Sequence, residues 1–184
     1  MARKVKSWKN KIFYKILAPE NFDFQEIGDT LADDPKKLIG RTVDVSLRDL
    51  TGDNTKQHLK LIFEINDVKG DKAYTKFKKF VVNPGYLRSK VRKGSSKIDY
   101  IDNLLLDNSK IQIGIMTVTR QNIKTSRKEE IFRIIKEVLK KRESMKLNDF
   151  LQSTLFGKLG TEIYKEVKKI VPIKRVEVEQ VRVL

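Results

Sequence analysis

The chain contains no cysteine and one histidine, His58, in 184 residues. Without cysteine there is no disulfide, no thiolate metal centre and no thiol nucleophile. One histidine cannot build a multi-histidine metal site, and a Ser-His-Asp arrangement would rest on His58 alone. No apolar run approaches the ~18 residues of a membrane span, and the N-terminus carries no apolar signal-peptide core. The nucleophile-elbow, zinc-protease and dinucleotide-binding patterns are missing. Gly94-Ser95-Ser96 lacks the upstream glycine and the lysine of a phosphate-binding loop, so nucleotide hydrolysis has no support.

Negative charge is also scarce. Forty Lys and Arg face 24 Asp and Glu, a net charge of +16. The simplest complement of such a surface is a polyanion, so nucleic acid is the expected partner. No membrane partner is expected, because no long Lys/Arg-rich amphipathic helix stands at either terminus. The charge comes in blocks. Residues 18–68 carry 11 acidic against six basic side chains, whereas 69–97 carry ten basic against Asp71 alone and 120–146 ten basic against four acidic. Blocks of this kind predict a basic face assembled from separate segments.

Strand signals dominate the first two thirds. Leu38–Leu50 reads as one strand, with Val43, Val45 and Leu47 alternating against Thr42, Asp44, Ser46 and Arg48. Thr51-Gly52-Asp53-Asn54 closes it as a turn. Leu59, Leu61, Phe63 and Ile65 mark a second strand over 57–68, and Lys69-Gly70 leads into a third over 72–82. On the third, Tyr74, Lys76, Lys78 and Phe80 share one face, expected to be a solvated sheet face, and Ala73, Thr75, Phe77 and Val81 share the other. Ile98–Leu106 and Lys110–Thr119 form a hairpin through Asp107-Asn108.

Helix signals follow. Ser126 and Glu129 have the spacing of a capping box, and Ile131, Ile134, Ile135, Val138 and Leu139 form an amphipathic stripe. Asn148-Asp149 is placed to cap a second helix ending at Gly157, and Thr161 a third ending before Pro172. Gly157-Lys158-Leu159-Gly160 has the Gly-x-x-Gly form of a KH backbone clamp, but two glycines at that spacing more often mark a helix stop and start. Val176 and Val178 differ in parity from Val181 and Val183, so a closing strand over 173–184 needs a bulge or bend near Glu179-Gln180. The expected fold is α+β: an antiparallel curled sheet or partly closed β-barrel, about three C-terminal helices and a closing strand. Residues 1–15 are expected to be a basic arm and 16–184 a single RNA-binding domain, with helices across 126–170. In the arm, Trp8, Phe13 and Tyr14 stand ready to stack on bases, or else Phe13 and Tyr14 anchor the segment in the core.

Chemistry has few candidates. Asp44, Asp49 and Asp53 are the nearest thing to a metal-dependent nuclease site, but Asp44 and Asp49 have opposite strand parity and lie outside the basic blocks. No catalytic residue, no metal and no cofactor is expected. The expected RNA contacts are Lys4, Lys6, Lys9, Lys11 and Lys15 in the arm, then Arg88, Lys90, Arg92, Lys93 and Lys97, then Arg120, Lys124, Arg127 and Lys128.

Leu38-Ile39-Gly40-Arg41-Thr42-Val43-Asp44-Val45-Ser46-Leu47-Arg48-Asp49-Leu50 resembles the signature of the S-three-A-e family of archaeal and eukaryotic small-subunit ribosomal proteins. Thr42 and Asp44 stand where an aliphatic residue and Glu are usual. The similarity continues through Tyr14, Ala18-Pro19, Phe22 and Ile27-Gly28 with Thr30-Leu31. It extends to Arg92-Lys93 with Ser95-Ser96-Lys97-Ile98-Asp99, Thr125-Ser126, and Gly160 to Leu184. The resemblance implies a structural protein of the small subunit that binds rRNA on the platform, near the mRNA exit and the rRNA 3′ end. It implies platform ribosomal proteins, and mRNA near the exit, as neighbours, and a place in the cytoplasm within the ribosome. Relative to eukaryotic relatives, the long C-terminal extension and most of the basic N-terminal tail are lacking. The alternative class is a free RNA-binding or translation-regulating factor.

Overall fold

Alternation of apolar and polar side chains sets most strands of this protein, and the computed structural model, which describes residues 11–106 and 109–184, shows where that alternation breaks. The chain divides into two compact units, Met1–Lys79 and Phe80–Leu184. The class is α+β, and in neither unit do the described strands close into a barrel.

In the first unit β1 (Ile12–Leu17) pairs antiparallel with β2 (Glu26–Ala32) and β3 (Thr42–Ser46) antiparallel with β4 (Leu59–Lys69). β4 also pairs with β5 (Lys72–Val82). The β1–β5 pair is parallel, an exception to the expected antiparallel pattern, with Ile16 opposite Ala73. The core gathers Tyr14, Ile16, Ala32, Leu38, Ile65 and Ala73. Of the two aromatics on β1, Tyr14 is the anchor, while Phe13 is 66% exposed, as alternation along a strand requires.

The expected strand over 38–50 ends at Ser46. Leu47–Thr51 is a helical turn, α1. Ser46 Oγ accepts from the Arg48 N–H at 3.3 Å, and Asp49 stands in the first turn, where carboxylates suit the helix dipole. Gly52, at φ 72°, ends the turn with its N–H on the Arg48 carbonyl at 2.7 Å. Leu47 continues the alternation and is buried, which disguised the turn as strand. On β5 the buried parity changes, from Ala73 and Thr75 to Phe80 and Val82, as the strand passes from the first unit into the second. Phe80 is therefore buried on the face expected to be solvated.

In the second unit α2 (Pro84–Lys90) begins where the strand was expected to break, with Asn83 Oδ1 accepting from the Gly85 N–H at 2.9 Å. β6 (Lys97–Leu106), β7 (Ser109–Thr119) and β8 (Ile173–Val183) pair antiparallel in the order β8-β7-β6. The Asp107-Asn108 turn lies outside the described residues. β7 is the middle strand, and Ile113–Thr119 is buried on both faces. α3 (Thr125–Lys140) buries Ile131, Ile135, Val138 and Leu139, with Ile134 half-buried beside them.

The helix starts differ from expectation. α3 is entered at Lys124 with no side-chain cap, so Ser126 lies inside the first turn and forms no capping box. α4 (Leu147–Leu155) starts after Lys146, two residues earlier than an Asn148 cap would set. α5 (Lys158–Lys168) starts after Gly157 (φ 72°), and Thr161 sits within it, its hydroxyl donating to the Gly157 carbonyl at 2.9 Å. Gly157–Gly160 is thus a helix junction, and a Cβ on Gly160 would lie 3.4 Å from the Val176 carbonyl oxygen of β8. Arg142 donates to Ser153 at 3.0 Å and pairs with Glu162, tying the segment after α3 to α4 and α5. The bulge expected in the last strand is present: Ile115 pairs with Val178 and Gly114 with Gln180, leaving Glu179 extra.

Candidate nucleic-acid interface

Antiparallel pairing brings the start of β6, the end of β7 and the start of β8 to one end of the second unit. Lys97 is opposite Val118, and Val118 is opposite Arg175. Both expected basic blocks of this unit feed that end, one leading into β6 and the other leaving β7.

Hydrogen bonds join the two blocks. The Ser96 N–H donates to Thr119 Oγ1 at 3.0 Å, and the Thr119 N–H donates to the Ser96 carbonyl at 3.0 Å. Thr119 Oγ1 lies 2.6 Å from the Gln121 carbonyl, to which it donates, and the Ile123 N–H donates to Ser96 Oγ at 3.2 Å. The Arg120 N–H reaches the Pro172 carbonyl at 3.0 Å, which adds the entrance to β8. The result is a rim carrying Arg88, Lys90, Arg92, Lys93, Lys97, Arg120, Lys124 and Arg127.

The positions differ in what they leave open. Gly94 (φ 85°) and Ser95, whose hydroxyl donates to the Arg92 carbonyl at 2.6 Å, form a turn that holds Arg92 and Lys93 exposed. The charged ends of Arg88, Arg92, Lys93, Arg120 and Lys124 make no ion pair or hydrogen bond with the described residues. Lys97 pairs with Asp99 at 2.7 Å. Arg127 reaches the Ile170 carbonyl at 3.5 Å, and Lys128 is half-buried on α3. Lys90 lies over the Tyr86 ring, 4.3 Å from its centre, while Arg175 donates to the Tyr86 hydroxyl at 2.7 Å. Burial, reinforced by Glu177, pushes the Tyr86 phenol up, so it stays protonated.

Cations held together without matching acids repel one another, and a polyanion removes that cost. Shallow clefts lie between them. One is lined by Arg120, Lys168, Ile170, Val171, Pro172 and Ile173, and its neighbour by Lys124, Arg127 and Ile123 with the same Val171 and Pro172. Lys168, Lys174 and Arg175 were not among the expected contacts. Their signal was present as two basic pairs, Lys168-Lys169 and Lys174-Arg175, flanking Ile170-Val171-Pro172-Ile173. Only the β7–β8 register shows that these pairs reach the same end as Lys97.

The remaining expected contacts fall elsewhere. Lys4, Lys6 and Lys9 lie outside the described residues. Lys11 and Lys15 belong to the first unit. Lys15 pairs with Glu26 at 3.1 Å, and this hydrogen bond and charge raise its pKa. Asp44 and Asp49 are exposed on β3 and α1, and among the described residues no three His, Cys, Asp or Glu side chains are grouped to hold a metal ion. Among them, too, no helix is long and apolar enough to cross a membrane.

Thr119 is the test of the junction. Thr119→Val keeps the shape but removes the hydroxyl, leaving the Ser96 N–H and the Gln121 carbonyl short of a partner. Urea denaturation is expected to show a loss of about 1–3 kcal/mol. Unchanged stability would mean that the two blocks are not held through this hydroxyl.

The family model described as the Ribosomal S3Ae family matches residues 1–184. The chain is 40% identical to the small ribosomal subunit protein eS1 of Methanobrevibacter smithii, over 97% of this chain and 93% of that one. It is 41% identical to the eS1 protein of Archaeoglobus fulgidus, over 100% and 89% of the two chains. Identity to the eS1 protein of Halorubrum lacusprofundi is 38%, over 95% and 82%.

Proposed function

The chain belongs to the Ribosomal S3Ae family, and from that premise we propose that it is a structural constituent of the small ribosomal subunit that binds rRNA through the basic rim of its second unit. The observation that carries this reading is the junction of the blocks around Arg88–Lys97 and Arg120–Arg127 by the Ser96–Thr119–Ile123 hydrogen bonds. Lysines and arginines there neutralise phosphates and release counterions, so binding falls steeply with salt. A-form RNA hides its major-groove edges, and specificity comes from backbone shape and 2′-hydroxyl groups. Lys4, Lys6, Lys9, Lys11 and Lys15 supply further contacts from the N-terminal segment.

The proposed location is the platform, near the mRNA exit and the rRNA 3′ end, inside the cytoplasmic ribosome. Platform proteins, and mRNA near the exit, are the neighbours. The protein works by binding, with no reaction of its own. Sedimentation of cell extract through a low-magnesium gradient tests this directly. The protein is expected with the small subunit and leaves it as salt is raised. A protein found chiefly at the top of the gradient at low salt would overturn the reading in favour of a free RNA-binding factor.

A further inference from the structure

One group on the rim works against phosphate binding. Glu179 lines a cleft of about 520 Å³ together with Pro84, Leu87, Arg88, Val91 and Lys97. A carboxylate in a cleft meant only to hold phosphates would weaken it, so its presence calls for a different task.

The backbone delivers it there. Glu179 is the extra residue of the β7–β8 bulge, and a bulge re-aims a side chain that a regular ladder would place otherwise. Gly114, opposite Gln180 beside the bulge, packs closely on it: a Cβ at Gly114 would lie 3.1 Å from Gln180 Cγ.

Two opposite charges then line one cleft without closing on each other. Among the described residues, neither the Glu179 carboxylate nor the Arg88 guanidinium has a hydrogen-bond or ion-pair partner. Lys97 is held by Asp99 at 2.7 Å and not by Glu179. The space between them suits a ligand offering an anion to one wall and a donor to the other. An ionised carboxylate only accepts hydrogen bonds. The group facing Glu179 must therefore donate, and on a nucleotide whose phosphate sits at Arg88 that group is the ribose 2′-hydroxyl or a base N–H, whether an exocyclic amino group or the ring N–H of guanine or uracil.

We infer that Glu179 is a specificity-determining residue of the RNA interface, accepting a hydrogen bond from a donor of a nucleotide whose phosphate is bound by Arg88. It rejects nucleic acid that lacks the donor, because the carboxylate then faces phosphate charge without compensation. This inference rests on the RNA-binding reading above.

Interference mapping of the full chain on transcripts of its own organism's small-subunit rRNA tests it. One pool carries randomly placed 2′-deoxynucleotides. A second carries bases that lack an N–H donor: inosine or 1-methylguanosine for guanosine, purine riboside for adenosine, zebularine for cytidine and 3-methyluridine for uridine. Wild-type protein is expected to exclude about tenfold the transcripts altered at one or a few positions. Exclusion in the first pool identifies a 2′-hydroxyl, and exclusion in the second a base N–H. With Glu179→Ala that exclusion disappears while the rest of the map is kept. Glu179→Gln, which preserves the shape of a half-buried side chain, weakens it and serves if the alanine variant does not fold. Identical maps for wild type and variants in both pools would overturn the inference and leave RNA binding intact. Failure of the wild-type chain to bind any transcript would overturn both.

Discussion

Reversing Arg88, Arg92 and Lys93 to glutamate is expected to weaken rRNA binding on the order of a thousandfold at physiological salt. Each of these side chains stands exposed, and none spends its charge on a described neighbour. A charge-assisted hydrogen bond contributes about 1.5–3 kcal/mol, and three lost together are multiplied by the repulsion of the new carboxylates. The slope of log affinity against log salt should become shallower by about two to three, since each phosphate contact contributes about 0.7–0.9 between single-stranded and duplex nucleic acid. Lys136, Lys140 and Lys141 provide the control. They stand toward the other end of α3, a 16-residue helix, and their reversal changes the net charge equally. A helix of that length spans ~24 Å, well beyond the ~8 Å over which exposed charges act at physiological salt. The control triple is expected to cost no more than about tenfold. Equal losses for both triples would show that net charge, not the rim, governs binding.

Phe150→Ala has the largest expected effect on stability, a loss of about 3–5 kcal/mol in urea denaturation. Phe150 is fully buried on α4 and is among the largest side chains in the core. α4 packs on α5, which in turn packs on β8 and α3. Truncation leaves a cavity that these helices close only in part. For a domain whose total stability is about 5–15 kcal/mol, a loss of that size leaves little folded margin. The rim should weaken with it, because Lys168 ends α5 and Lys124 enters α3. A variant with unchanged urea midpoint would mean that α4 is not part of the cooperative core.

Local signals in the chain were legible where one force dominated. Burial of one face set β4 and β6 and the stripe of α3, and the change of parity between Val178 and Val181 required the bulge that the β7–β8 register contains. They misled where two forces gave the same pattern. Leu47 is apolar at the right parity for a strand, yet the Ser46 oxygen and Gly52 turn the backbone into α1. Ser126 and Glu129 have capping-box spacing, yet α3 is entered two residues earlier at Lys124. Phe80 was assigned to the solvated face because parity was taken as constant, whereas β5 serves two units in turn.

By itself the sequence determined the α+β class, the family, and a concentration of positive charge in separate blocks. These depend on composition, on local periodicity and on motifs read in order. Tertiary structure alone decided which charges meet. Lys97 and Arg175 stand 78 residues apart in sequence and flank Val118 at one sheet end. Thr119 binds the blocks together, and Glu179 enters the Arg88 cleft because one strand carries a residue more than its neighbour. Pairing register and bulges act over distance along the chain, and charge density along a sequence holds no record of them.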